Sequence, residues 1–454
     1  MMHDGGFQPT RSESHDGTTL VAEVVSPPAS SATLEESLVG DHWLLWPFRF
    51  LKLSFDWLFG LLCIVVGVGY LATIPVIQLI SLGYLLEVSG RIAVTGRLRN
   101  GFIHVLLAGR IGGLILGTWL TLLIPNLISD LRYTAALIDP ASGVTRGWGI
   151  AQVIVDCLAG IHIVSAWSCG GRIRHFFWPL WLLPLAVVAT LRWLSRLTIG
   201  KILVDAPRWR YLTGSYSLPQ LEQWLPPVRV FRQIRSGQFY ARSRDAVWNL
   251  LVVELQPLHF FWIGLQGLLG TLIWLAIPVG LMMAGTSVES ELGTLCGWIG
   301  GLALTIVVLY LPFLQVRFAA ERRFGAFFEV GRVREQFRRA PVAFLFALFC
   351  TLLFAVPLYL LKIELTPSEV TWLPSLPFVA FMLPAKMLTG WAVARAGRRD
   401  QDRFFLVRWF ARTLALPLTG IYVIIVFFSQ YVTWYGVRGL LEQHAFLVPS
   451  PFTG

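Results

Sequence analysis

Charge is scarce in this chain. Of its 454 residues, 14% are Asp, Glu, Lys or Arg, against about 25% in a soluble domain. That shortage excludes an ordinary water-facing surface. Lysine is scarcer still, with Lys52, Lys201, Lys362 and Lys386 the only four among 37 basic residues. Cysteine is also sparse. Cys63, Cys157, Cys169, Cys296 and Cys350 lie in or beside apolar segments, and none forms a CxxC pair. Neither a disulfide framework nor a thiolate metal site is expected, and these side chains read as small hydrophobes. Catalytic motifs are missing as well: there is no HExxH, P-loop, GxSxG, or GxGxxG opening a helix after a strand. His104, His162, His175 and His259 are scattered. No cofactor or metal is expected, and an enzyme is the less favoured reading, although a site assembled from distant helices would leave no local motif. Residues 1–41 lack the apolar core of a signal peptide and read as a polar tail, expected to be disordered.

What the chain does have is apolar sequence in long runs. Stretches of about 20 residues predict bilayer-spanning helices, and 55% of all residues are hydrophobic. The expected fold is all-α: a polytopic integral membrane protein with eight transmembrane helices, or nine, plus cytoplasmic interfacial helices. The membrane domain is expected over 42–433. Residues 42–57 put His42, Arg49, Lys52 and Asp56 in one stripe, with Trp and Phe over the rest, which predicts a helix in the interface plane. Spans are expected at about 57–86, 111–129, 150–168, 258–283, 292–316, 342–361, 372–394 and 411–433. In the first, tilt or a kink is expected at Pro75. Residues 194–257 read as a basic cytoplasmic insert and 434–454 as a short extracytoplasmic tail.

Arginine placement orients these spans. The gaps 317–341 and 395–412 are rich in Arg, whereas 284–291 has no basic residue and 362–371 has only Lys362. The positive-inside rule then places the Arg-rich gaps in the cytoplasm. The segment 175–193 is ambiguous. If it crosses, there are nine spans, and the gap holding Arg91, Arg97, Arg99 and Arg110 falls outside. If it only dips into the interface, there are eight. Pro179 and Pro184 leave backbone groups unpaired and favour the second. An internal similarity points the same way. LGYLLEVSGRIAVTGRLRNGF (82–102) and YLPFLQVRFAAERRFGAFFEVGRV (310–333) each end a span in an Arg/Gly-rich connector, before another span ending in Pro.

Several polar residues stand in unusual places. Asp156 and His162 fall within the third expected span, where a carboxylate costs about 3 kcal/mol unless paired or neutral. One reading is a proton-relay or substrate site; the other is a hydrogen-bonded group holding helices together. Six residues apart, they lie on different helix faces. Lys386 follows Pro384, with Pro374 and Pro377 before it. A broken span around a cation suits an anion site, while a snorkelling lysine is the blander and favoured reading. Residues 322–339 read as a helix with Phe324, Phe327, Val330, Val333 and Phe337 on one arc. Arg322, Arg323, Arg332, Arg338 and Arg339 flank that arc as candidate contacts to anionic phospholipid headgroups. GxxxG at Gly113–Gly117 and Gly297–Gly301 predicts close helix packing. The net charge of +11 is accounted for by cytoplasmic loops. No recognition helix or aromatic RNA motif accompanies it, so nucleic acid is not an expected partner. The lipid bilayer is, and a protein partner is left unspecified.

The runs GYLLEVSGRIAVTGRLRNGF (83–102) and VRFAAERRFGAFFEVGRVREQFRR (316–339) resemble an uncharacterised prokaryotic polytopic membrane-protein family, a domain of unknown function. The resemblance implies a multi-pass protein of a bacterial cytoplasmic membrane and brings no activity, substrate or site. The leading expectation is a non-enzymatic component that transports or handles small or lipidic molecules. The rivals are a structural or assembly factor with an Arg-rich cytoplasmic face, and a lipid-modifying enzyme.

Overall fold

The computed structural model describes residues 46–168, 170, 173–180, 226–287, 290–360, 373–432, 436–442, 446 and 447. The expected tail 1–41, residues 181–225 of the ambiguous segment and basic insert, and most of 434–454 lie outside them. The chain divides after Leu53. In the first unit the described residues, 46–53, open helix α1 (Trp46–Ala72). The second unit, residues 54–454, carries every other element.

No breaker separates residues 46–57 from the apolar run behind them. The expected in-plane segment and the first span are therefore, over the described residues, one continuous helix. The span expected over 57–86 is interrupted at Pro75. α1 stops at Ala72, Val76 takes a left-handed φ of 69°, and α2 (Gln78–Thr95) begins afresh. Ser81 Oγ donates to the Val68 carbonyl at 2.8 Å. A straight helix would hold residues 13 apart in sequence about 20 Å from each other, so the chain folds sharply at the proline.

The remaining helices are α3 (Val105–Ile138), α4 (Gly143–Ser168), α5 (Pro226–Arg235), α6 (Phe239–Trp248), α7 (Pro257–Ser287), α8 (Glu291–Glu321), α9 (Val330–Arg339), α10 (Pro341–Leu360), α11 (Ser375–Gly397), α12 (Phe405–Val432) and the short α13 (Gly439–Glu442). Among the described residues there is no strand. Local chemistry sets several ends. Pro257 and Pro341 open α7 and α10, where a missing N–H costs nothing. Ser290 caps α8, its Oγ accepting from Gly293 N at 3.1 Å, with Glu291 in the positive first turn. Among the described residues eight helices are long and apolar enough to cross a bilayer: α1, α3, α4, α7 continued back through α6, α8, α10, α11 and α12. The chain is an all-α, multi-pass membrane protein.

α2 lies at the centre. Its run Leu82–Gly90 is buried without interruption, so helices cover it on several sides. Contact at that depth needs small residues. A Cβ on Gly83 would collide with the Phe260 carbonyl of α7, and one on Gly264 with the Leu79 carbonyl of α2. A Cβ on Gly90 would come within 2.7 Å of the Ala319 backbone of α8. On α8, Gly297 of the expected GxxxG meets Gly285 of α7. By contrast α3 and α4 expose Ile115, Trp119, Leu127, Ile154 and Leu158, the pattern of a hairpin facing lipid.

Candidate functional site

Two sharp turns organise the polar chemistry, one after α2 and one after α8. Their backbones match. α2 ends on Gly96 (φ 68°, ψ 13°) and α8 on Arg322 (φ 53°, ψ 29°), and each amide donates to the carbonyl four residues back at 2.7 Å. Extended Arg97 (φ −117°, ψ 121°) and Arg323 (φ −117°, ψ 124°) follow. Next come the 3₁₀ turns Leu98–Gly101 and Phe324–Phe328. The shared geometry sets the register residue by residue. Tyr84 corresponds to Tyr310, Glu87 to Phe313, Arg91 to Arg317, and Ile92 to Phe318. The faint likeness of the two connectors is thus a repeated turn in three dimensions. It also corrects the helix expected over 322–339, which is α-helical from Val330 only, because Arg322 and Glu329 break the pattern.

At the first turn Glu87 is buried, its side chain 2% exposed. It pairs with Arg91 at 2.8 Å, with Arg322 at 3.1 Å, and with His259 at 3.8 Å. Arg322 thus ties the second turn to the first. At the second turn Arg317 binds Glu321 and Glu329, and Arg323 binds the same two. Desolvation pushes the Glu329 carboxyl up, but hydrogen bonds and attraction from Arg317, Arg332 and Arg323 outweigh it and hold it below its usual range. Hydrogen bonding to Glu321, and then to Glu329, raises Arg323.

All five arginines expected to meet lipid headgroups have carboxylate partners. Arg322 pairs with Glu87, Arg323 with Glu321 and Glu329, Arg332 with Glu329 at 3.4 Å, Arg338 with Asp402 at 4.0 Å, and Arg339 with Glu335. The apolar arc beside them is used up in the protein interior: Phe327 and Val333 are buried, and Phe324, Val330 and Phe337 pack on the core.

Two arginines that the sequence did not single out have no ion pair among the described residues. Arg334 of α9 lies over the Tyr310 ring, 5.6 Å from its centroid, and its Nε donates to the Tyr310 hydroxyl at 3.1 Å. Arg412 of α12 lies over Phe337 at 5.9 Å. Both line one cavity of about 360 Å³ between α8, α9, α10 and α12. Its apolar lining includes Leu309, Phe313, Phe344, Leu345 and Leu348. Phe313 and Phe344 stack there at 4.3 Å. The volume lies within the usual range of small-ligand sites, about 300–1,000 Å³.

The intramembrane candidates are not brought together. Asp156 is exposed on α4 and accepts from Gln152 Nε2 at 3.0 and 3.2 Å. His162 is engaged elsewhere. Trp178 Nε1 donates to its Nδ1 at 2.9 Å, so Nε2 carries the proton to the Phe176 carbonyl, also at 2.9 Å. Both ring nitrogens are satisfied away from Asp156. Lys386 departs from the snorkelling expectation. It is 5% exposed, and its Nζ donates to Gln315 Oε1. Gln315 Nε2 in turn donates to Thr271 Oγ1 at 2.8 Å and the Phe446 carbonyl at 3.0 Å. The physical reason is placement: α11 packs between α2 and α10, and at this depth the side chain meets protein rather than headgroups. Nor is α11 broken there; it runs unbroken through Pro384. Among the described residues no three His, Cys, Asp or Glu side chains converge as a metal site. No family model matches the chain, and neither a curated protein nor a solved structure matches it.

Proposed function

We propose that this protein is a non-enzymatic component of a bacterial cytoplasmic membrane that binds, and transports or presents, lipidic molecules. One observation carries the reading: the cavity of about 360 Å³ whose lining is apolar along Phe313, Phe344 and Leu348, and cationic at Arg334 and Arg412. An amphiphile needs those two surfaces side by side. In an aqueous protein an exposed guanidinium asks for nothing more. On the same two helices Arg332, Arg338, Arg339 and Arg408 pair with carboxylates, whereas Arg334 and Arg412 rest on aromatic rings at the cavity and have no carboxylate partner among the described residues.

The test is lipid movement. Full-length protein in proteoliposomes is expected to accelerate the exchange of a fluorescent phospholipid between leaflets or between vesicles. Leu345→Trp, which places an indole in the cavity from a partly buried lining position, is expected to abolish most of that acceleration. Exchange no faster than in protein-free liposomes, together with no lipid retained on purification, would refute the reading.

A further inference from the structure

The repeated turn says more about the cavity. Register puts Leu309, Tyr310 and Phe313 of α8 where Gly83, Tyr84 and Glu87 stand on α2. On α2 that face is covered by α7. Gly83 abuts Gly264, the Tyr84 ring meets Phe260 at 5.8 Å, and Glu87 faces His259. On α8 the same face borders the cavity. One helix face, repeated in the chain, is thus filled by protein in its first copy and left as a groove in its second.

The charges identify what fills it. At the first copy the cations Arg91 and Arg322 meet the Glu87 carboxylate. At the second the position of Glu87 holds Phe313, and Arg334 and Arg412 border the groove with no carboxylate paired to either among the described residues. An occupant that completes the second copy brings a negative group to the arginine end and apolar surface to the rest of the lining. We infer that the groove between α8, α9, α10 and α12 binds one anionic glycerophospholipid, its phosphate between Arg334 and Arg412 and an acyl chain along Leu309, Leu345 and Leu416 of the lining. This rests on the lipid-handling reading and adds the headgroup class, the site and the two residues that select for charge. Arg forks suit a phosphate because they pair with it through two N–H groups at once.

The experiment is native mass spectrometry of the full chain in detergent, titrated with phosphatidylglycerol and with phosphatidylcholine of the same acyl chains. Wild-type protein is expected to retain one phosphatidylglycerol at least tenfold more strongly than phosphatidylcholine. Arg334→Gln and Arg412→Gln are each expected to cut that preference about fivefold, the worth of one basic residue near an anionic surface. Arg323→Gln, whose partners are internal, serves as a charge-matched control and should leave the preference intact. A thermal unfolding midpoint unchanged in each variant separates lost binding from lost fold. Equal retention of both lipids by wild type would overturn the headgroup assignment and leave lipid handling standing. Retention of neither would overturn the site assignment, and retention of neither with exchange no faster than in protein-free liposomes would overturn lipid handling as well. A polypeptide found on the groove in place of lipid, or loss of preference in Arg323→Gln equal to that in Arg334→Gln, would overturn the assignment of the site.

Discussion

The turn after α2 and the turn after α8 share a backbone and differ in what covers them. The first is enclosed: α7 presses on Gly83, and Glu87 is buried among cations. The second borders a cavity: Phe313 replaces the carboxylate and stacks on Phe344 of α10. The difference shows that a turn can be repeated while its surroundings differ, one copy packed by a helix and the other bordered by a cavity. Substitutions at matched positions should separate those uses.

The largest contrast is expected at the first matched pair. A Cβ on Gly83 collides with the Phe260 carbonyl and comes within 2.9 Å of Gly264 N, both backbone atoms. Gly83→Leu is therefore expected to prevent α2 from docking on α7, with loss of folded protein in a detergent size-exclusion assay. Leu309→Phe, at the same register on α8, adds bulk toward a cavity and should leave folded yield near wild type. Comparable losses from both would mean that the two faces are packed alike.

The second contrast is electrostatic. Arg91 and Arg322 are 41% and 59% exposed, but the Glu87 side chain is 2% exposed. Stranding the carboxylate should therefore cost more than stranding its partners, which water can reach. Arg91→Met with Arg322→Met leaves Glu87 buried without a guanidinium, at an expected cost of about 3–5 kcal/mol. Adding Glu87→Gln to that pair should restore most of the loss, and chemical denaturation in micelles reads the cycle. Phe313→Leu at the matched position strands no charge and is expected to cost about 1 kcal/mol. If Glu87→Gln fails to rescue, the buried carboxylate is not what the arginines support.

Much of this architecture could be read from the chain. The eight span-length helices among the described residues follow from long apolar runs, and the two connectors resemble one another in sequence as they do in backbone. What could not be read depends on residues far apart. Glu87 and Arg322 are 235 positions apart, and the packing of α2 against α8, with Gly90 against Ala319, brings them together. Arg322 at a left-handed helix end, where Gly96 stands in the first copy, gives no local signal, because such a φ is uncommon for any residue but glycine. Clustering marks Arg322, Arg323, Arg332, Arg338 and Arg339 as candidate lipid contacts, yet clustering with Glu321, Glu329 and Glu335 is what satisfies several of them internally. Arg334 and Arg412 share a cavity only because α9 and α12 converge on α10. Lys386 was legible as an oddity, but not as a buried partner of Gln315, which required knowing that α8 lies beside α11.

The smallest contrast is in response to acid. The first turn leads into His104, just before α3, whereas residues 322–330 of the second hold no histidine. Burial, and then the charge of Arg91, lowers the His104 imidazole below its ordinary value, while Glu254 and Glu87 pull it part of the way back. A group whose folded value is lowered binds a proton more readily when unfolded. Its contribution to stability is therefore present above about pH 6.5 and declines as pH falls below that. The second turn depends on Glu329, also lowered, whose contribution is present above about pH 4.5 and is lost only below it. Hydrogen exchange, corrected for intrinsic rates, is then expected to show residues 96–105 opening more at pH 5.5 than at pH 7.5 while residues 322–330 hold. Both should open near pH 4. His104→Gln should remove the first step and leave the second. Were the two turns to loosen together between pH 7.5 and 5.5, the imidazole would not be the cause, and the enclosure of the first turn would have to be traced to Gly83 and Glu87 alone.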